Sequence, residues 1–229
     1  ERLPGTFDQD VYVELLRRFH ESGSPADGAV TFTLHAFLRS MGRRVDGRTY
    51  EQLRSALTRL LKTTLETDRA YYDASGATSV VGSFSVLSSV QIDRRRFAER
   101  DQLALFSTLT NNEPGDARVA ISPAIRANLG AGHSVSLSAT RYVALSSPVA
   151  RRIYRLLELV RSDAGAAWRV QLDRLAEQLP LIQRYPSHLQ RVLQPAHEML
   201  VTSGILRAAS FVQEARVWYV EYALGPKPA

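Results

Sequence analysis

The 229-residue chain has no cysteine and almost no lysine. The first absence excludes disulfides, thiol nucleophiles and cysteine-based zinc sites together, and it fits a reducing cytoplasm. No apolar run approaches the ~18–20 residues needed to cross a bilayer, and no signal-peptide pattern opens the sequence. A cytoplasmic location is therefore expected. No phosphate-binding loop is present: Gly130-Ala131-Gly132 lacks the following Gly-Lys-Ser/Thr and reads as a turn. The five histidines (His20, His35, His133, His188, His197) contain no His-x-His pair. His197-Glu198 begins a zinc-protease motif, but the required second histidine is replaced by Val201. No catalytic residue, metal or cofactor is expected, and the chain does not read as an enzyme.

What is present is a 45% hydrophobic chain, enough for real cores, with a net charge of +6. Lys62 and Lys227 are the only lysines among 29 bases; the other 27 are arginine. Codon usage in a GC-rich genome accounts for much of that bias. Guanidinium forks also suit phosphate and guanine recognition, so the positions of the arginines decide what they mean.

One pattern occurs twice. In the first half Asp8 caps a helix through Asp10–Phe19, a loop covers Glu21–Gly28, and Val30-Thr31-Phe32 is extended. Thr33 opens a short helix, Leu34–Met41, ended by Gly42. After the turn Arg43–Gly47 a longer helix runs from about Arg48 to Thr64. Leu65–Tyr72 and Val80–Ile92 then form a hairpin about Asp73-Ala74-Ser75-Gly76. The second half repeats the order. It has a helix Val149–Val160, a strand Trp168–Val170 and a short helix Leu172–Leu179 stopped by Pro180. A helix Tyr185–Thr202 ends at Gly204, and Ile205–Gln213 pairs with Ala215–Tyr222. Between them lie a loop at Asn111–Asp116, a strand Val119–Ile121 and a helix opened by Ser122-Pro123. This is an α+β chain of two tandem winged helix-turn-helix domains, 1–115 and 116–229, which points to double-stranded DNA as the partner.

The longer helices differ in chemistry. Tyr50, Leu53, Leu57, Leu60 and Leu61 share one side of the first, and Arg48, Ser55, Arg59 and Lys62 share the other, with Arg43 and Arg44 just ahead. Residues 43–62 carry six bases against two acids. In the second, Leu189, Val192, Leu193, Ala196, Met199 and Leu200 form the buried side. Arg184, Ser187, Arg191 and Gln194 face outward, flanked by His188 and Gln190. Arginine and glutamine pair with base edges, so this helix suits sequence reading, and the first suits backbone attraction. Pro195 predicts a kink or restart. Trp168, Trp218, Phe211 and Tyr219 read as strand-core aromatics, and Arg94-Arg95-Arg96 as a basic loop able to touch phosphates.

Three stretches resemble the plasmid replication initiators, in particular the replication initiator protein A family and more distantly the iteron-binding Rep proteins. They are His133–Leu157, with Leu145-Ser146-Ser147 and Ala150-Arg151-Arg152-Ile153-Tyr154-Arg155-Leu156-Leu157 at its end; Leu172–Leu181 followed by Tyr185–Leu193; and Tyr50–Leu60 after Gly47. The resemblance implies two winged-helix domains binding repeated origin sites, recruitment of host replication proteins, and two forms, a homodimer that represses its own gene and a monomer that binds the origin repeats. Some initiators nick DNA with a tyrosine beside a histidine-held metal. Tyr71-Tyr72 lacks such histidines and reads as part of the wing. A winged-helix repressor acting only at an operator fits the same residues. A protein-interaction module is disfavoured by the clustered arginines.

Overall fold

The computed structural model describes the backbone of residues 4–73, 78–92, 117–164, 166–179, 181–183 and 185–226. Side chains are described for these except 67–73, 78–81 and 162–164. The chain divides into two compact units, Glu1–Ser134 and Val135–Ala229. Each mixes helices with antiparallel sheet, as the α+β expectation requires.

The first unit opens with α1 (Thr6–Glu21). Asp8 lies inside this helix, not ahead of it, and its carboxylate accepts the Gly5 backbone N–H at 2.6 Å. β1 (Ala29–Phe32), α2 (Leu34–Ser40) and α3 (Gly47–Lys62) follow. The Thr33 side chain accepts the Ala36 N–H at 3.1 Å, and that of Asp46 accepts the Thr49 N–H at 2.9 Å. Each bond satisfies a helix donor that has no partner of its own. The Thr49 backbone bond also holds the Asp46 carboxyl below the usual carboxylate range. Gly42 turns the chain out of α2 in the left-handed region (φ 67°), which lets the Arg43 N–H reach back to the Leu38 carbonyl at 3.0 Å. Leu53, Ala56, Leu57 and Leu60 of α3 are buried at helical spacing against Val11, Leu15 and Phe19 of α1 and Phe37 and Leu38 of α2.

The strands depart from the expected hairpin. β2 (Thr64–Asp73) pairs with β3 (Thr78–Ser85) as a separate two-stranded sheet; its turn at residues 74–77 lies outside the described residues. The run Val80–Ile92 does not continue as one strand. At buried Val86 the backbone N–H bonds the Thr63 carbonyl (3.1 Å) and the carbonyl accepts the Ser122 N–H (3.3 Å), which diverts the chain into a second sheet. That sheet has the order β1-β5-β4, with β4 at Leu87–Ile92 and β5 at Ala117–Ile121. The expected domain boundary near residue 115 lies outside the described residues, as do the loop Asn111–Asp116 and Arg94-Arg95-Arg96. β5, which follows them, is the central strand of the first unit, bonded to β1 on one side and β4 on the other. The first unit therefore reaches Ser134 and takes in α4 (Pro123–Gly130), whose first residue is the proline.

The second unit comprises α5 (Ala139–Ala144), α6 (Pro148–Ala164), β6 (Ala167–Gln171), α7 (Leu172–Gln178), α8 (Pro186–Thr202), β7 (Leu206–Glu214) and β8 (Val217–Leu224). Pro180, the expected stop after α7, lies outside the described residues. The sheet order is β6-β8-β7. β7 and β8 meet in the two-residue turn Ala215-Arg216, both at positive φ (44° and 68°), which matches the twist of a tight hairpin. Arg151 is buried. Its Nε donates to the Leu145 carbonyl at 2.6 Å and its guanidinium lies 5.2 Å from the Tyr142 ring centre. The buried Tyr154 hydroxyl accepts the Ser138 N–H at 3.1 Å. Arg151 and Tyr154, part of the run that carries the family resemblance, thus fasten α5 to α6.

α8 runs unbroken through Pro195, contrary to the expected kink or restart. Arg191 and Pro195 are both exposed, so water can serve the Arg191 carbonyl that loses its donor. The helix buries Leu189, Leu193, Ala196, His197 and Leu200. Trp168, Phe211, Trp218 and Tyr219 are half-buried. Trp168 stacks on Tyr222 at 5.6 Å, Phe211 lies 5.2 Å from His197, and Arg169 sits 4.2 Å over Tyr219. His197 Nε2 lies 2.9 Å from the Tyr222 hydroxyl, while Nδ1 is buried with no hydrogen-bond partner. Burial pushes the imidazole down to about 4 and the Tyr222 phenol upward.

A histidine whose folded value lies below its unfolded one keeps its stability contribution above the unfolded value and loses it as pH falls. Between pH 6.5 and 4 the second unit should lose on the order of 3 kcal/mol of stability. Urea unfolding of the wild type against the His197→Phe/Tyr222→Phe double variant checks this; the variant should lack that pH dependence.

Candidate nucleic-acid interface

The residues expected to meet DNA form one group in each unit. In the first unit the structure sorts the bases by what α1 does with its acids. Asp8, Asp10 and Glu14 are all buried. Arg59 turns to Asp8: Nη2 donates to Oδ1 at 2.7 Å and Nε lies 3.1 and 3.2 Å from the two oxygens. Arg43 donates to Asp10 at 2.9 Å, with its guanidinium 5.5 Å from the Phe7 ring centre. Glu14 accepts from Arg17, Arg18 and the Ser40 hydroxyl. Burial alone would raise the Glu14 pKa, but these donors together lower it.

Arg43 and Arg59 therefore join α1 to the turn and to α3, and do not present free guanidinium groups as expected. The reason is tertiary. α1 packs on α3, so the flank of α3 that a helical wheel leaves open meets a carboxylate. Arg54 pairs with Glu51 on its own helix. The remaining expected residues, Arg44, Arg48, Ser55 and Lys62, are exposed. Arg44 is 88% exposed and 3.6 Å from Asp46. Of Tyr71 and Tyr72 the structure describes only the backbone, on β2, outside the three-stranded sheet.

In the second unit Ser187, His188, Arg191 and Gln194 are exposed on α8, and the Gln194 amide donates to Glu198 at 2.9 Å. Arg184 lies outside the described residues. Gln190 departs from expectation: its amide nitrogen is buried and has no hydrogen-bond partner. It adjoins buried Leu189, at the margin of the core-facing side. Two residues not anticipated as contacts stand out, Ile182 (87% exposed) in the turn before α8 and Tyr185 (70%) at its N-cap. The signal was legible as two large apolar groups in a turn. From Leu181 to Gln194 the chain carries two arginines, a histidine and no acid.

Among the described residues no group of three or more histidines and acids is placed to hold a metal, and no helix is long and apolar enough to cross a membrane.

A family model described as Replication initiator protein A matches residues 2–180. A protein of Wigglesworthia glossinidia brevipalpis named "Putative replication protein" is 34% identical over 73 residues, 30% of this chain. That stretch spans 26% of the relative's own length. Among solved structures, a crystal structure of domains 2 and 3 of RctB is similar with a TM-score of 0.62 at 12% identity, covering 98% of this chain and 84% of that one. The Pi initiator protein, crystallised in complex with iteron DNA, is similar with a TM-score of 0.58 at 13% identity, covering 96% and 95%. At such identities the likeness is one of fold.

The Arg59–Asp8 pair yields a test. Arg59→Ala strands a buried carboxylate and should destabilise the protein by about 2 kcal/mol, the partly exposed arginine moderating the cost. Adding Asp8→Ala should recover part of the loss. Chemical denaturation of the two single variants and the double variant measures the coupling.

Proposed function

The chain belongs to the Replication initiator protein A family, and on that premise we propose that it is a non-enzymatic replication initiator of a plasmid or secondary replicon. In this reading two winged helix-turn-helix units bind repeated double-stranded sites at an origin. The observation that carries it is the second unit. Its elements run α6-β6-α7-α8-β7-β8, its sheet is ordered β6-β8-β7, and α8 exposes Ser187, His188 and Arg191 on a stretch without acids. A helix so placed after a short helix and a turn lies in the major groove with its N-terminal residues at base edges, and the hairpin flanks it. The fold likeness to a protein crystallised on iteron DNA supports the same reading.

The two helices take unequal parts. α8 specifies sequence through Arg191 and His188, and α3 adds backbone attraction through Arg44, Arg48, Ser55 and Lys62. By strand order, β4 and β5 stand in the first unit where β7 and β8 stand in the second, and are its wing; β2 and β3 are an insertion ahead of it. A homodimer and host replication proteins as partners, and a cytoplasmic location, belong to the same proposal.

Arg191→Ala should weaken binding to the preferred duplex by about 1–3 kcal/mol and leave binding to random DNA nearly unchanged. Fluorescence anisotropy on both duplexes decides it, and an equal loss on each would make Arg191 a phosphate contact. Initiation is tested separately: a plasmid bearing the gene and its flanking DNA should replicate without another origin. Failure with the protein expressed, alongside tight operator binding, would favour a repressor.

A further inference from the structure

Among the described residues, Ile182 and Tyr185 are the two most exposed large apolar side chains, at 87% and 70%, and they stand three positions apart. They do not lie on a random stretch of surface. They occupy the turn into α8 and its N-cap, beside exposed Ser187, His188 and Arg191. The Tyr185 ring is braced edge-on against His188, with ring centres 5.8 Å apart. The Tyr185 carbonyl accepts both the His188 and the Leu189 N–H at 3.0 Å, so the backbone that carries the ring is fixed.

Two large apolar side chains exposed to this degree, with polar and basic residues around them, have the make-up of a binding face. The surrounding charge selects the occupant. No acid occurs between Leu181 and Gln194, against two arginines and a histidine, so the face suits a polyanion. A duplex presents both features at once: phosphates at the groove rim, and on its floor one apolar group, the thymine C5-methyl.

We propose that Ile182 and Tyr185 read thymine methyl groups, making the preferred site thymine-bearing next to the base pairs met by His188 and Arg191. This rests on the DNA-binding reading above. In it, hydrogen-bonding side chains and an apolar pair divide the recognition. The polar groups find donors and acceptors, and the apolar pair tells thymine from cytosine and uracil by shape.

Deoxyuridine tests the division, because replacing thymine with uracil keeps every hydrogen-bonding group and removes only the methyl. The full chain is first used to select duplexes from a randomised library. Each thymine of the preferred duplex is then replaced singly by deoxyuridine, and binding is followed by anisotropy. At one or two positions the wild type should bind about fourfold more weakly per methyl lost. Tyr185→Ala and Ile182→Ala should each abolish the penalty at one such position, while Tyr185→Phe keeps it. Both side chains are exposed, and thermal melting confirms that the variants fold. Specific binding with no uracil penalty anywhere overturns this inference and leaves the DNA-binding reading standing. So does a penalty that persists unchanged in both alanine variants, which would leave the pair to a protein partner. If no duplex is enriched or bound, both fall.

Discussion

The first unit is organised around carboxylates taken out of water. Burying a charge is costly unless it is paired, and α1 buries three, Asp8, Asp10 and Glu14. Each is paired by a cation, and the cations come from places the hydrophobic core alone would not fix: Arg59 from α3, Arg43 from the turn between α2 and α3, Arg18 from α1 itself with Ser40 of α2 alongside. A carboxylate with two oxygens and a planar guanidinium admit few relative orientations. The set therefore fixes how α2, the turn and α3 lie against α1. It also decides which bases remain outward. Residues 43–62 look strongly basic in sequence, yet two of the six bases belong to the internal framework.

The second unit reaches the corresponding arrangement with less internal charge. Arg151 is held by carbonyl oxygens and an aromatic ring, with Leu145 as its principal acceptor. Glu158 pairs with Arg161, which also donates to the Gly225 carbonyl. At the place where α8 meets the sheet the polar contact is neutral, His197 against Tyr222. Arg191 of α8 is left exposed, and His188, also exposed, meets only the Tyr185 ring among the described aromatic residues.

Much of this was legible. Helical spacing located α1, α2, α3, α6, α7 and α8, and Thr33, Gly42 and Gly204 marked helix ends, because these features are written within a few residues. Long-range pairing was not. Nothing local distinguishes an arginine facing water from one facing Asp8, fifty-one positions away. The strand partner of β1 was missed for the same reason: the hairpin β2-β3 is the nearer candidate, and β5 is the actual neighbour. The burial of His197 could have been found, since it follows Leu189 and Leu193 at intervals of eight and four. Its polarity concealed it. Ile182 and Tyr185 were visible as residue types, and only their exposure showed that the core does not use them.

The sequence distance between β1 and its partner strand has a consequence in time. β1 pairs with β5 between Ala29 and Ala120, ninety-one positions apart, whereas the second unit closes its sheet between Ala167 and Ala223, fifty-six apart. The difference in loop-closure entropy is only about 0.4 kcal/mol, too little to matter at equilibrium. On a ribosome the order of emergence matters more. α1, α2 and α3 leave the exit tunnel early and can assemble on their carboxylate–arginine pairs, while β1 waits as an unsatisfied edge until some ninety further residues have been made. For that interval the ion pairs and the apolar contacts of α3 with α1 and α2 are what hold the nascent helices together.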